Sequence, residues 1–240
     1  MLTKNFHKLQ TEVQRHVEAD RVVQGSYATC FIGCLARGLN APEFLEREYG
    51  IPLAVSRIAE SIFEGLTPDE APLFFAAFPR AVESDGKDLS RVVWQFLAAE
   101  LRSLPPVTPD LQAVINRVID GMGLLADGKK WSEEDARAAE AAARAAARAA
   151  ELTADWAAAR AAARAAEWAA RAAAASAADW AAAEAAMAAE WASSANSAAA
   201  NPADWVAVKF AVRRRQRDLL LKLIKEAPIT QQQQQQETNG

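Results

Sequence analysis

The sequence predicts an all-α protein, and two observations support this fold class. Residues 129–201 contain no glycine or proline, and more than half of these 73 residues are alanine. Alanine has the highest intrinsic helix propensity, whereas glycine and proline interrupt helices. Apolar residues in the rest of the chain recur at three- and four-residue spacing, the period of an amphipathic helix. We therefore expect a helical N-terminal domain, then an alanine-rich region of packed helices, and a C-terminal amphipathic helix that caps them.

Changes in composition divide the chain into three predicted regions. Residues 1–128 should form a compact helical domain, which ends in the glycine- and lysine-containing segment 121–130. Residues 129–228 should form an alanine- and tryptophan-rich helical repeat region that ends in a basic helix. Residues 229–240 contain six consecutive glutamines and are expected to be disordered.

Capping and helix-breaking residues delimit seven helices in the N-terminal domain. Apolar residues from Phe6 to Val17 lie on one face of the first helix, which Gly25 and Ser26 should end. The next three are predicted at Cys30–Ala36 before Gly38, at Pro42–Tyr49 before Gly50, and from Pro52 to Gly65. A fifth helix should start at Thr67-Pro68, with Glu70 completing a capping box, and a sixth at Asp88 or Ser90. The seventh should run from Thr108-Pro109 to Leu125, and the inward residues of the sixth are Val92, Val93, Phe96, Leu97 and Leu101.

The alanine-rich region contains four candidate helix starts, at Ser132, Thr153, Ser176 and Asn201-Pro202. If all four are used, the region consists of helices of roughly 20 residues. If only the first and last are used, residues 132–200 form one helix about 100 Å long.

An acidic residue followed by tryptophan recurs through this region, which indicates an internal repeat. In one continuous helix, tryptophans 12 residues apart would be rotated by about 120° and exposed on several faces. We therefore favour separate helices that fold back and pack on each other and on the N-terminal domain. We take Trp156, Trp168, Trp180 and Trp191 as candidate ligand- or partner-binding residues. The pairs are Asp155-Trp156, Glu167-Trp168, Asp179-Trp180, Glu190-Trp191 and Asp204-Trp205.

The charge of the chain narrows the classes of function. The formal net charge is −4 and the pI is about 5.4, which argues against nucleic-acid binding because such domains are usually basic. Charged residues interrupt the alanine run at short intervals, so no membrane span is expected. The polar N-terminal segment is not typical of a signal peptide, and a cytoplasmic protein with reduced thiols is the expected class.

Basic charge is concentrated in the predicted last helix. Residues 201–228 carry seven basic and three acidic side chains, and Arg213, Arg214, Arg215 and Arg217 lie within five positions. Four guanidiniums this close together can bind the phosphate groups of a small ligand. The alternative, which we favour, is that they neutralise acids of the alanine-rich region, where ten acids face six arginines.

Motifs that carry chemistry are few. Cys30 and Cys34 lie one helical turn apart, and we interpret them as small apolar core residues, because a zinc site would need two further ligands. His7 and His16 lie on opposite sides of a helix and cannot form a pair. The sequence contains no phosphate-binding loop and no dinucleotide-binding fingerprint. We therefore predict no catalytic residue, no metal and no cofactor.

Three segments of the N-terminal region carry a resemblance: CFIGCLARG (30–38), EREYGIPLAVSRIAESIFEGL (46–66) and DGKDLSRVVWQFL (85–97). With the alanine- and tryptophan-rich region and the final LIKEAP, they resemble an uncharacterised family common in tailed phages, prophages and some bacteria. Thr29 and Arg37 replace a glycine and a histidine that are frequent in the family. The motif positions in this chain are Cys30, Gly33, Cys34, Gly50, Pro52, Asp88 and Ser90.

The resemblance implies a viral accessory protein in the host cytoplasm, for which counter-defence is a reasonable role, and it implies no known activity. We expect a non-enzymatic binding protein whose partner is a host defence protein or a small phosphorylated ligand such as a signalling nucleotide. One alternative is an oligomeric scaffold built from the alanine-rich helices. The other is an enzyme with a site around Cys30, Cys34 and Asp88.

Overall fold

The computed structural model describes residues 1–26, 28–37, 41–150, 156–174, 178–200 and 202–230. Within these residues the protein forms eleven α-helices and no sheet, which confirms the all-α prediction. The predicted caps Thr153, Ser176 and Asn201, the predicted stop at Gly38 and the glutamine run lie outside the described residues. In chain order the helices are α1 (Phe6–Glu18), α2 (Phe31–Leu35), α3 (Pro42–Tyr49), α4 (Leu53–Gly65), α5 (Glu70–Val82), α6 (Val92–Arg102), α7 (Pro109–Ala126), α8 (Glu133–Ala150), α9 (Trp156–Ala174), α10 (Ala178–Ala200) and α11 (Pro202–Glu226).

The chain folds as two compact units. The first comprises Met1–Val92 and Arg217–Gly240, and the second comprises Val93–Gln216. The divisions fall inside α6 and α11, whereas the sequence placed a boundary at residue 128.

The core of the first unit is built around Phe31 on the short helix α2. Its ring lies 5.0 Å from Phe78, 5.6 Å from Phe74 and from Phe75, and 6.2 Å from Phe63, measured between ring centroids. All five rings are at most 1% exposed. Edge-to-face and offset contacts of this kind add to the stabilisation that comes from burying the rings. The five-residue helix α2 is therefore held by packing and not by its own length.

Residues 86–88 pair on both sides with other segments of the first unit. On one side, Thr3 donates its N–H to the Lys87 carbonyl at 2.9 Å, and Gly86 donates to the Thr3 carbonyl at 2.8 Å. On the other side, Asp88 donates to the Pro228 carbonyl and Thr230 donates to the Gly86 carbonyl, both at 2.8 Å. The paired chain thus extends two residues past Pro228, into the segment where the sequence predicted disorder.

A buried lysine caps two helices in this unit. The Lys87 side chain is 2% exposed, and its Nζ donates to the carbonyls of Ala81 at 3.0 Å and Lys225 at 2.9 Å. These carbonyls lie in the last turns of α5 and α11, where backbone acceptors have no partner within the helix and a cation is favourable.

In the second unit, α8, α9 and α10 are successive helices that pack on one another, so these three helices do not form one continuous helix. Arg144 Nε lies 2.9 Å from Glu167 Oε1, and Arg171 Nε lies 3.1 Å from Glu140 Oε1. The α9 partner falls from 171 to 167 as the α8 residue rises from 140 to 144, so the two helices are antiparallel. Alanine allows their backbones to approach closely. The α9 alanines at most 1% exposed are Ala162, Ala163, Ala165, Ala166, Ala169, Ala170 and Ala172.

Two helix ends and the predicted linker differ from the sequence prediction. The first helix ends at Glu18 and not at Gly25, because the backbone turns at Asp20, where φ is 50°. The predicted linker 121–130 begins inside α7, which continues through Gly121 to Ala126. A Cβ at Gly121 would lie 2.4 Å from the indole of Trp131, so this glycine marks a close contact and not a break. Helix α5 begins at Glu70, after a turn that includes Thr67.

Three predicted helix boundaries agree with the structure. Helix α3 runs from Pro42 to Tyr49, and Gly50 ends it with a φ of 67°. Thr108 precedes α7. Ser132 Oγ accepts a hydrogen bond from the Asp135 N–H at 3.0 Å at the start of α8, as a capping residue should.

Candidate functional site

Helix α11 directs the four clustered arginines to different sides, because successive helical residues are rotated by about 100°. Arg213 is 5% exposed and its guanidinium contacts the carboxylate of Glu190 on α10. Arg215 donates to Glu100 Oε2 at 2.9 Å, whereas Arg214 is exposed. Each of these arginines therefore has its own surroundings, and the cluster is not one open cationic surface.

Arg217 is also placed among carboxylates. Its Nε donates to Asp218 Oδ1 at 2.8 Å, and its Nη1 lies 4.0 Å from Glu70 Oε1. The phosphate-binding role predicted for these arginines stays a prediction. Among the described ion pairs, that of Arg213 with Glu190 involves an acid of the alanine-rich region, as the alternative of charge neutralisation expects, whereas Glu100, Glu70 and Asp218 lie outside that region.

Arg213 and Glu100 belong to a buried polar network that Gln216 completes. The Gln216 side chain is fully buried. Its Oε1 accepts from Arg213 Nη1 at 3.0 Å, and its Nε2 donates to Glu100 Oε2 at 2.8 Å and to the Ala186 carbonyl at 3.0 Å. The network thus joins α6, α10 and α11 through two carboxylates, two guanidiniums and one amide, and its formal charges balance.

Burial governs the titration of this network. Burial raises the pKa of Glu100, and the guanidinium of Arg215 opposes that rise. Burial likewise raises the pKa of Glu190, and Arg213 opposes it. Burial lowers the pKa of Arg213, while Glu190 acts in the opposite direction. Each charge therefore depends on its partner to remain ionised in a dry environment.

Next to Glu190 in sequence, the exposed Trp191 contacts the half-buried Trp205. Trp191 on α10 is 58% exposed, and its ring centroid lies 6.2 Å from that of Trp205 on α11, with the planes inclined by 48°. Lys209 Nζ lies 5.7 Å from the Trp205 ring, and Val206 is 42% exposed. We call Trp191, Trp205 and Val206 the tryptophan face.

The other candidate tryptophans give less information. Trp168 is half-buried, and the Arg171 guanidinium lies 4.7 Å from its ring centroid, in a cation–π contact. The side chains of Trp156 and Trp180 lie outside the described residues. Trp191 is thus the candidate that the structure shows most clearly at the surface.

The two cysteines are part of the core of the first unit. Cys30 is 3% exposed and Cys34 is 0% exposed. Cys30 Sγ accepts from the Gly33 N–H at 3.3 Å and so caps α2. Burial raises the pKa of Cys30 to about 12, and the nearby Glu60 carboxylate adds to the rise. Burial and Glu60 likewise raise the pKa of Cys34 to about 12. Both thiols are protonated at neutral pH, and a thiol must ionise to act as a nucleophile or metal ligand.

The remaining motif positions of the first unit shape the backbone. A Cβ on Gly50 would lie 2.0 Å from the Leu2 carbonyl oxygen. Pro52 directly precedes α4. Asp88 Oδ1 accepts from the Ser90 N–H at 3.0 Å just before α6 begins. Each of these positions thus sets a turn or the start of a helix.

Several residues central to these arrangements were missed by sequence reasoning. Glu100 carried a usable signal, since it shares a helix face with the apolar residues Phe96 and Leu97. A charge on an apolar face indicates a buried polar contact. Gln216 and Lys87 carried no such signal, because their partners are distant in sequence.

Across the described residues, no three or more His, Cys, Asp or Glu side chains are grouped so as to hold a metal ion. In the same part of the chain, no helix has both the length and the apolar character needed to cross a membrane. Comparison with protein-family models, with curated protein sequences and with solved structures gives no match for this chain.

Proposed function

We propose that this chain is a non-enzymatic binding protein that holds a partner protein through the tryptophan face. One observation carries the proposal: the indole of Trp191 is 58% exposed and is held against a second indole on the next helix. Large exposed aromatic side chains are unusual on a soluble surface and are enriched among the residues that dominate protein interfaces.

The energy available from this surface is enough for specific binding. A tryptophan side chain presents about 200 Å² of surface, so roughly 120 Å² of Trp191 remains to be buried. At about 25 cal/mol per Å², burying it is worth about 3 kcal/mol, or a factor of more than 100 in Kd. Trp205 and Val206 extend the contact, and the ring contact between the two tryptophans reduces the side-chain entropy lost on binding.

A protein is favoured over a phosphorylated small molecule because of the arginine positions. The guanidiniums of Arg213, Arg215 and Arg217 already face carboxylates. A phosphate would have to displace those carboxylates, and displacing Glu190 would leave a buried charge without its partner, which is costly.

The resemblance of the sequence to a phage and prophage family supports a partner from the bacterial host. We accordingly propose an accessory role in the host cytoplasm, with a host defence protein as the partner. The buried thiols, whose pKa values are about 12, favour binding over cysteine-based catalysis.

Self-association is the second candidate function, because an exposed apolar face also suits a second copy of the chain. Light scattering between low and high micromolar concentration distinguishes the two. A mass that doubles with concentration in the wild type, and stays constant in Trp191→Ala, supports an oligomeric scaffold.

The test of partner binding compares two variants that remove one exposed apolar side chain each. Immobilised wild type, Trp191→Ala and Leu73→Ala are exposed to a bacterial host lysate, and the bound proteins are identified by mass spectrometry. Leu73 is 67% exposed and lies in the first unit, so it serves as the control. We expect a protein that binds wild type and Leu73→Ala but is lost from Trp191→Ala. Its Kd, measured by calorimetry with the purified protein, should rise by about 100-fold in Trp191→Ala. Capture unchanged by Trp191→Ala contradicts the proposal.

A further inference from the structure

The alanine-rich surface of α10 gives little information about how that helix should be aligned with its neighbours. Its alanines that are at most 2% exposed include Ala182, Ala185, Ala186 and Ala189. A slip of α10 by one turn would move Ala186 into the place of Ala182, and Ala189 into the place of Ala185. Because the replaced and replacing side chains are identical, the slip costs almost nothing in buried apolar area. Alanine packing therefore stabilises the helices without selecting one register.

The buried polar network selects one alignment of α10 with α11. Glu190 and Ala186 on α10 meet Arg213 and Gln216 on α11, and the number on α11 falls from 216 to 213 as the number on α10 rises from 186 to 190. The two helices therefore run antiparallel, and the contacts lie on one aligned row. A slip by one turn would separate Arg213 from Glu190 and leave both in a dry environment, where unpaired charge is strongly unfavourable.

A third helix, α6, contacts the same part of α11. Glu100 on α6 accepts hydrogen bonds from both Arg215 and Gln216 on α11. Within the described residues its other oxygen, Oε1, has no hydrogen-bond partner. The carboxylate is thus held from one side only, and displacement of α11 would remove its hydrogen bonds. Three helices are tied at one point of contact.

We propose that the network of Glu100, Glu190, Arg213 and Gln216 is a register device that selects a single alignment of α10 with α11 and so holds the tryptophan face together. Glu190 is 4% exposed and its neighbour Trp191 is 58% exposed. Fixing the inward direction of Glu190 fixes the outward direction of Trp191, because adjacent helical side chains differ by about 100°. These four residues are positioning residues for the tryptophan face, and only this last step rests on the proposed function.

A register device and a stability device respond differently to apolar replacement. Buried ion pairs contribute little net stability compared with apolar side chains of similar volume, but polar residues in a core can specify one alignment. The variant Glu190→Met with Arg213→Met replaces both charges together. Because the variant also removes the Arg213 donor from the buried Gln216 Oε1, we expect its melting temperature to fall by no more than about 10 °C, while the alignment becomes heterogeneous.

The alignment is read by fluorine NMR of protein labelled with 5-fluorotryptophan, in which the Trp191 line is assigned by its loss in Trp191→Phe. Wild type should give one Trp191 line. The double methionine variant should give two or more lines or one broadened line. The matched control is Glu133→Met with Arg137→Met, which removes an exposed ion pair within α8 and should leave the Trp191 line unchanged. One sharp, unshifted Trp191 line in the double methionine variant of Glu190 and Arg213 would overturn the proposal.

If that variant does not fold, as judged by circular dichroism, the exchanged pair Glu190→Arg with Arg213→Glu decides the question. The exchange restores an ion pair in the native register and in no slipped one. A single Trp191 line in the exchanged pair, with several lines in Glu190→Arg alone, supports the proposal, and several lines in both overturn it. None of these measurements needs a partner, so the failure of partner binding and the failure of the register device are distinguishable.

Discussion

The reactivity of Cys30 and Cys34 provides a direct test of whether the first unit can use cysteine chemistry. The pKa of each thiol is raised to about 12, compared with about 8.5 for an unperturbed cysteine. At pH 8 the thiolate fraction falls from about 0.2 to about 10⁻⁴, a decrease of roughly 2,000-fold. A more basic thiolate is a better nucleophile, and with a Brønsted slope of about 0.4–0.5 each thiolate should react roughly 40-fold faster. The chemistry alone therefore predicts labelling about 50-fold slower than that of the unfolded chain, and burial at 3% and 0% exposure slows it further.

The assay is labelling with an aromatic disulfide reagent at pH 8, followed by absorbance, in native buffer and in concentrated guanidinium. Unfolded protein should react rapidly at both cysteines. Native protein should react at least about 50 times more slowly, at a rate set by local opening. Cys30→Ser isolates Cys34 and shows whether one thiol accounts for any residual reaction. Rapid stoichiometric labelling of the native chain would refute the reasoning and revive the enzyme alternative.

Three further predictions concern the stability of the fold and are read from denaturant unfolding. Lys87→Met leaves two helix-terminal carbonyls without their donor and should lower the free energy of unfolding by about 3 kcal/mol or more. The control Lys222→Met changes a side chain that is 66% exposed and should lower it by less than about 0.5 kcal/mol. Equal losses in the two variants would contradict the capping role. Gly50→Ala combines a φ of 67° with a Cβ placed 2.0 Å from a backbone oxygen, and it should lower the free energy of unfolding by more than about 2 kcal/mol. The control Gly25→Ala has a φ of 72° but open space around the new Cβ, and it should lower the free energy of unfolding by only about 1 kcal/mol. The pKa of Glu100 is raised in the folded state, so the folded protein binds more protons and its stability should fall as the pH rises from about 4.5 through the raised value. Glu100→Gln should weaken that dependence above pH 4.5, and an unchanged dependence of stability on pH would contradict the assignment to Glu100.

The elements that were predicted from the sequence are those set by local residues. Pro42 and Gly50 bound α3 because proline fits the first turn and glycine accepts a positive φ, and both effects act within a few residues. Gly121 was misread because a glycine beside Gly123 and Gly128 has the appearance of a linker. Glycine is needed at position 121 because the indole of Trp131, ten residues away, packs against it. The composition of the segment does not show that contact.

The candidate site was predicted only in part, for a related reason. The arginine run and Trp191 are visible in the sequence, since both are concentrations of unusual residue types. The direction of each side chain depends on how α11 is rotated against its neighbours, and a rotation of 100° separates the buried Arg213 from the exposed Arg214. Glu100 and Gln216 are 116 positions apart, so their pairing depends on the tertiary fold. The sequence therefore indicated which residue types matter, and the packing decided which of them face solvent.

A protein core must be stable, and its elements must pack in one alignment. Most cores meet both requirements with the same side chains, but in the alanine-rich region different residues meet them. In an ordinary core, large side chains of different shape both stabilise the packing and select one alignment, because each fits a single place. Alanine supplies close approach and burial, but a face of identical side chains admits several alignments. Selection must then come from the few residues that differ, and in this chain they are Glu190, Arg213 and the tryptophans. For that reason we expect alanine-to-serine changes on exposed helix positions to be tolerated, whereas changes at those few residues should alter which surface the protein presents to a partner.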